Sequence, residues 1–339
     1  MSNDVSRREF FRASALTALA ATGAVAIAKQ AEQVYAAPPL HPGHDLGIPT
    51  VVGEVNHTRN GFNPSTMITE FEYGETSELI TGQTLRTFNI KAEDKTLEIA
   101  PGLEFPAWTY NGRVPGPALR CKAGERVRVN FTNAGTHPHS MHFRGIHPPE
   151  MDGVPGSGFG LVQPGQSTFY EFDAEPFGLH LYHSHSYPLA QNMVRGLYGV
   201  FIVEPEDGWP MVDHEMVLVL NGFDVNFDQQ NNFYAFNTIP FHYQKLATKL
   251  KLDAKNRLFL VNMMEYETLT SFHLHGNFFH YYPSGTSLVP SEYTDTIALM
   301  QAQRGILEFS YKFPGLYLFR AQQARQAELG AIGLFQVDI

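Results

Sequence analysis

Short strand-like runs, in which apolar residues alternate with polar ones or cluster in fours and fives, recur every 8 to 15 residues along most of the chain. "LRTFNI", "RVRVNFTN", "STFYEFDA", "YGVFIVEP", "EMVLVLNGF", "RLFLVNMM", "GILEFSYKF" and "GLFQVDI" are examples. Turn signals such as "PG", "NG" and "AG" separate them, and no long amphipathic helix intervenes. Regular spacing of short strands with glycine and proline punctuation predicts an all-β sandwich architecture.

The pattern also echoes itself. "FGLHLYHSH" (Phe177 to His185) resembles "PGLYLFRAQ" (Pro314 to Gln322), and "MHFRG" (Met141 to Gly145) resembles "FHLHG" (Phe272 to Gly276). In each half the short motif precedes the longer one. Two independent motifs repeated in the same order predict two tandem sandwiches. The expected layout is a first domain over 66–205 and a second over 206–339, with a boundary near "EPEDGWP" (Glu204 to Pro210) and an arm over 38–65 ahead of them.

The echo aligns chemistry as well as shape. In "LYHSHSYPLAQN" (residues 181 to 192) His183 and His185 stand at i and i+2, on one face of a strand. That is how a sheet presents paired metal ligands. His142 and Arg144 align with His273 and His275, and His183 and His185 align with Arg320 and Gln322. Four such pairs therefore hold five histidines, two arginines and one glutamine, an incomplete set where eight histidines would make a multinuclear metal site.

Composition narrows the setting. The chain has 339 residues, enough for two cores, and 13% aromatics with 29 glycines and 22 prolines, which suits strands and turns. A net charge of -10 argues against a nucleic-acid partner. The single cysteine, Cys121, rules out an intrachain disulfide and reads as a small core residue. Residues 1–37 read as a twin-arginine export signal: "SRREFF" precedes an Ala-rich apolar run from Ala13 to Ala28 and a small-residue cleavage site, "VYA". The run is short for a membrane span, so a periplasmic or extracytoplasmic destination, with no transmembrane span in the mature chain, is expected.

"HPHSMHFRGIHPPEMDGVPG", "FGLHLYHSHSYPLAQNMVRGLYGVFIVEP" and "SFHLHGNFFHYYPSGT" resemble the two-domain multicopper oxidases, cupredoxin proteins related to copper nitrite reductases. The resemblance covers nearly all of residues 66–339. It implies two Greek-key cupredoxin sandwiches, a homotrimer, a blue type 1 copper held by a thiolate, two imidazoles and an axial residue, and a trinuclear cluster between the first domain of one subunit and the second of the next. Carried onto this chain, it leaves His139 in one type 1 imidazole position, with Ser184 in place of the cysteine, Asn192 in place of the second histidine and Leu197 at the axial position. A hydroxyl cannot supply the thiolate that holds a blue copper.

By the same resemblance, His142 and His273 would bind a type 2 copper. His185 and His275 would share one type 3 ion with the position now held by Arg320. His183 would share the other with the positions of Arg144 and Gln322. Arginine cannot ligate a metal. A guanidinium about 4 Å from a copper ion would oppose it by roughly 4 kcal/mol per unit charge at an effective dielectric of 20.

Three readings follow. One is a non-blue binding or scaffolding protein without laccase-type activity, its old cluster pocket locked by Arg144, Arg320 and Gln322; a variant pairs it with an active paralogous subunit. Another is a mononuclear copper-binding protein with one ion per subunit at His142 and His273, helped by His185 or His275, for which zinc is also suitable. The third is a copper-dependent oxidoreductase with another electron source. Whether the chain is an enzyme stays open at this level. His280, His41, His44 and His57 are secondary candidates, expected to be surface, core or linker residues. Asp152 and Glu328 are expected to be structural, and "DVNFD" (Asp224 to Asp228) lacks the glycine and distal glutamate of a calcium loop.

Overall fold

The computed structural model describes residues 53–267 and 269–339. The export signal, residues 38–52 of the arm, and His41 and His44 lie outside the described residues.

Two single-turn helices come first, α1 (His57–Asn60) and α2 (Pro64–Met67). The Asn56 and Asn63 side chains cap them by accepting the Arg59 and Ser65 amides. The first half then runs through β1 (Glu75–Glu78), β2 (Thr84–Ala100), β3 (Leu103–Tyr110), β4 (Leu119–Lys122), β5 (Arg126–Asn133), β6 (His142–Phe143), β7 (Ser167–Asp173), β8 (Gly178–His183), helix α3 (Leu189–Arg195) and β9 (Tyr198–Glu204). One sheet has the order β1-β2-β5-β7 with β3 also on β2, and the other the order β4-β9-β8-β6.

The second half contains β10 (His214–Phe223), β11 (Phe233–Phe236), α4 (His242–Lys245), β12 (Thr248–Lys251), β13 (Asn256–Asn262), β14 (Leu269–Leu274), β15 (Phe279–Pro283), β16 (Glu292–Thr294), β17 (Thr296–Met300), β18 (Arg304–Phe309), β19 (Gly315–Arg320), α5 (Ala324–Glu328) and β20 (Ile332–Asp338). Its sheets have the orders β11-β10-β13-β18-β15-β16 and β12-β20-β19-β14-β17.

The two halves repeat one plan. β2 lies parallel to β5 as β10 lies parallel to β13, and β4 lies parallel to β9 as β12 lies parallel to β20. The echo seen in the sequence is an echo of register: His142 faces His183 across β6 and β8, and His273 faces Arg320 across β14 and β19.

Burial explains the two kinds of strand. β5 alternates, with Val127, Val129 and Phe131 in the first sandwich core and Arg126, Arg128 and Asn130 outward. β9 is apolar on both faces because both are covered: Phe201 and Val203 enter the first core, while Tyr198, Val200 and Ile202 enter a separate core between the sandwiches. β13 does the same from the other side, with Leu258 and Leu260 in the second core and Phe259 and Val261 in the shared one. Cys121 is buried in the first core as a small apolar residue. Among the described residues, no helix is long and apolar enough to cross a membrane.

Candidate metal centre

The β6–β8 pairing brings His142 beside His183, and the chain leaving β8 carries His185 to the same place. The His185 amide donates to Ser140 Oγ at 3.1 Å, tying that loop to the residues ahead of β6. The three rings stand edge to face or tilted, with centroids 5.4 Å (His142–His183), 4.9 Å (His142–His185) and 5.0 Å (His183–His185) apart. One nitrogen from each lies within 4.8 Å of the other two. Three convergent imidazoles suit copper or zinc.

Neighbouring acceptors fix which nitrogen each ring offers. His142 Nδ1 lies 2.8 Å from Asp152 Oδ1, so it carries the proton and leaves Nε2 as a lone-pair donor. His183 Nδ1 lies 3.2 Å from the Ser184 carbonyl, with the same consequence. Asp152 is held by a 3-10 turn, Pro149–Met151, and its Oδ1 accepts the Val154 amide at 3.1 Å. Gly153 permits this approach, since a Cβ there would sit 2.4 Å from the Met141 carbonyl oxygen.

Burial keeps the rings neutral. It pushes His183 down to about 3, with neighbouring His142, His185 and Arg144 acting in the same direction and the Ser184 carbonyl against them. His142 and His185 are also lowered, chiefly by desolvation, with Asp152 opposing the shift in both. Neutral imidazole is the form that binds a metal. Arg144 is exposed at the edge of this group.

The second half holds a smaller cluster. His273 and His275 have ring centroids 4.6 Å apart, and His273 Nδ1 is held by Thr296 Oγ1 at 2.7 Å and the Asp295 carbonyl at 3.1 Å. Arg320 turns back on its own backbone, donating to the Ala321 and Gln322 carbonyls at 3.3 and 3.4 Å. The Gln322 side chain is exposed. Among the described residues His273 and His275 belong to neither of the groups of three or more donors. Within one chain, His142 is thus gathered with His183 and His185.

The type 1 positions are filled differently. Asn192 sits on α3, fully buried; its amide nitrogen donates to the Ser186 and Pro188 carbonyls at 2.5 and 3.2 Å, and its oxygen accepts Ser186 Oγ at 2.9 Å. Ser184 Oγ accepts the Ser140 amide at 3.3 Å and lies 3.5 Å from Ser186 Oγ. His139 is 0% exposed, its ring centroid 5.0 Å from Trp108, and neither nitrogen has a protein partner; burial lowers it to about 4. Leu197 packs in the first core. One imidazole, a hydroxyl and an amide already engaged on both atoms do not fit a blue copper.

The lesser candidates have other neighbours. His280 stacks on Tyr293 at 4.7 Å, and His57 sets its edge against His242 at 5.3 Å. The Asp224 carboxylate accepts the Asp228 and Gln229 amides, closing its own loop. Glu328 is exposed at the end of α5. One neighbour of the cluster escaped the sequence reading: His147, whose Nε2 lies 3.2 Å from His142 Nδ1. Its only sequence signal is a spacing of five residues from His142 in a loop.

Family models described as multicopper oxidase match residues 91–208 and 215–339. A copper-containing nitrite reductase of Neisseria meningitidis is 29% identical over 269 residues, covering 72% of this chain and 67% of that protein. Copper resistance protein A of Escherichia coli is 35% identical over 146 residues, 40% of this chain and 24% of that one. Among solved structures, one titled as a multicopper oxidase is 51% identical with a TM-score of 0.83, covering 84% of this chain and 100% of its own.

Proposed function

The chain belongs to the multicopper oxidase family, and from that premise we propose that it is a non-blue member. In this reading it holds one copper ion per subunit on His142, His183 and His185 and lacks laccase-type oxidase activity. The observation that carries the reading is the contrast between two donor sets in one sandwich. Three neutral imidazoles converge within 4.8 Å, two with Nδ1 held by acceptors, while the thiolate position is a serine and its neighbouring ligand position an engaged amide. A copper there supplies a Lewis acid and a one-electron couple, with no sulfur ligand to tune it. The protein's part is to hold the rings neutral, oriented and partly shielded from water.

The arginines limit the count. Each guanidinium close to a further copper would oppose it by about 4 kcal/mol per unit charge at 4 Å and an effective dielectric of 20. Arg144 stands at the edge of the three imidazoles, and Arg320 lies across from His273. By the family resemblance, the reading extends to a homotrimer in which His273, His275, Arg320 and Gln322 of one copy face the His142 group of the next. It also extends to twin-arginine export, on the strength of residues 1–37.

A second reading has its own support. Arg144, Arg320 and Gln322 occupy three ligand positions, and three such replacements favour a scaffold, alone or with an active paralogous subunit, over an oxidase. Loading with Cu(II), dialysis and metal analysis separate the two. One or two coppers per chain without an intense blue band support the copper-binding reading. Near-zero copper, with stability indifferent to chelators, supports the scaffold. Three coppers or a blue band overturn both.

A further inference from the structure

We propose that this protein carries a second metal site, built from His142 Nδ1, His147 Nε2 and Asp152 Oδ1, so that the His142 imidazole bridges two ions. It goes beyond the single-ion reading: the bridge rests on that reading, while the His142, His147 and Asp152 site stands without it, because its donor is His142 Nδ1, the nitrogen turned to Asp152.

The donors are already at the spacing a small ion requires. His142 Nδ1 lies 2.8 Å from Asp152 Oδ1 and 3.2 Å from His147 Nε2, and His147 Nε2 lies 3.7 Å from Asp152 Oδ1. A tetrahedral zinc with bonds of about 2.0–2.1 Å sets neighbouring ligand atoms roughly 3.3 Å apart. The three distances bracket that value, so binding needs only small shifts. The three donor atoms form one of two such groups among the described residues, and His142 is the member common to both.

Protonation points the same way. His147 Nδ1 lies 3.0 Å from the Pro148 carbonyl, so it carries that ring's proton and turns the Nε2 lone pair toward His142. Without an ion, one proton on His142 Nδ1 serves two acceptors, the carboxylate and the His147 ring. A divalent cation at the three donor atoms would take that proton's place, the proton passing to solvent, and Asp152 would offset the ion's charge. The site is sheltered, with side-chain exposures of 20% for His142, 6% for His147 and 15% for Asp152. A water would complete a four-coordinate zinc there. Two imidazoles and a carboxylate are a borderline donor set, suited to Zn(II) or Cu(II).

The test loads the full chain with Zn(II), desalts it, and measures zinc per chain in the wild type, His147→Gln and His185→Ala, with circular dichroism to confirm folding. The proposal expects His147→Gln to hold one zinc fewer than the wild type. It expects His185→Ala to retain an ion that the added His147→Gln change removes. Loading with Cu(II) adds a second readout: magnetic coupling between two coppers, relieved in His147→Gln. If His147→Gln holds as much zinc as the wild type, or the wild type holds none, the second site is refuted. A wild type with a single zinc that responds to His147 and not to His185 upholds this site and removes the first.

Discussion

Ser184 and Asn192 differ in how firmly the fold holds them. Asn192 makes three hydrogen bonds from full burial, whereas Ser184 Oγ has one long bond to the Ser140 amide and one at the limit to Ser186, with the Tyr110 hydroxyl beside it. Removing a buried polar group that leaves its partners unpaired costs about 1–3 kcal/mol, and removing a weakly bonded one costs far less. Asn192→Ala should therefore lower stability by about 2 kcal/mol, and Ser184→Ala by a few tenths, as read from urea unfolding midpoints. Equal effects would mean that the network around α3 does not hold the loop. None of these bonds is visible in the sequence, where Asn192 stands only at a position that the family resemblance assigns to a histidine; the serines and the helix that pair with it become neighbours through the fold.

At the scale of elements, α3 and the strand that follows it set the loop after β8 against the first core. Gly196 ends α3 in the left-handed region, φ 108°, and a Cβ there would stand 2.3 Å from Val114 Cγ2. Strain and overpacking combine, each costing about 1–3 kcal/mol. Gly196→Ala should lower the melting temperature well beyond what an exposed glycine such as Gly124 would, although Gly124 also has positive φ and meets nothing within 4 Å. A comparable shift in both would place the cost in backbone conformation alone.

The elements were also where the sequence spoke most clearly. Apolar runs at β9 and β13 marked strands, and the MHFRG/FHLHG echo anticipated the matching registers at His142–His183 and His273–Arg320. The family resemblance supplied His142, His183 and His185 as ligand positions but divided them among three ions. Their grouping within one chain needed the β6–β8 pairing and the turn after His183, which no local pattern encodes. His147 was illegible for the same reason: its reach to His142 depends on the path of a loop.

At the scale of the molecule, a shared apolar core joins the sandwiches, and a polar seam runs beside it. Arg120 and Arg257 are both nearly buried and meet at Glu215, with Glu204 and Glu308 completing the ion pairs. They line a cleft of about 510 Å³ with Trp209 and Phe71, and their charges are engaged within the fold. Buried imidazoles are spread across both halves: burial lowers His139 and His180 to about 4 and His242 to about 3. Each folded value lies below the unfolded value of about 6.5, so the unfolded chain binds more protons between the two. Stability should therefore be full above about pH 6.5 and fall steadily as pH drops toward 4. Chemical denaturation with a chelator present, to remove any contribution from metal, checks this. A flat profile across that window would contradict neutral burial of these rings.

The most direct test of the account is the copper content of the wild type against His185→Ala after Cu(II) loading and dialysis. His185 belongs to the three-imidazole group and to no other group of three or more donors among the described residues. His185→Ala should hold one copper per chain fewer, with both proteins folded and neither blue. Equal copper in the two proteins, or none in the wild type, would contradict it.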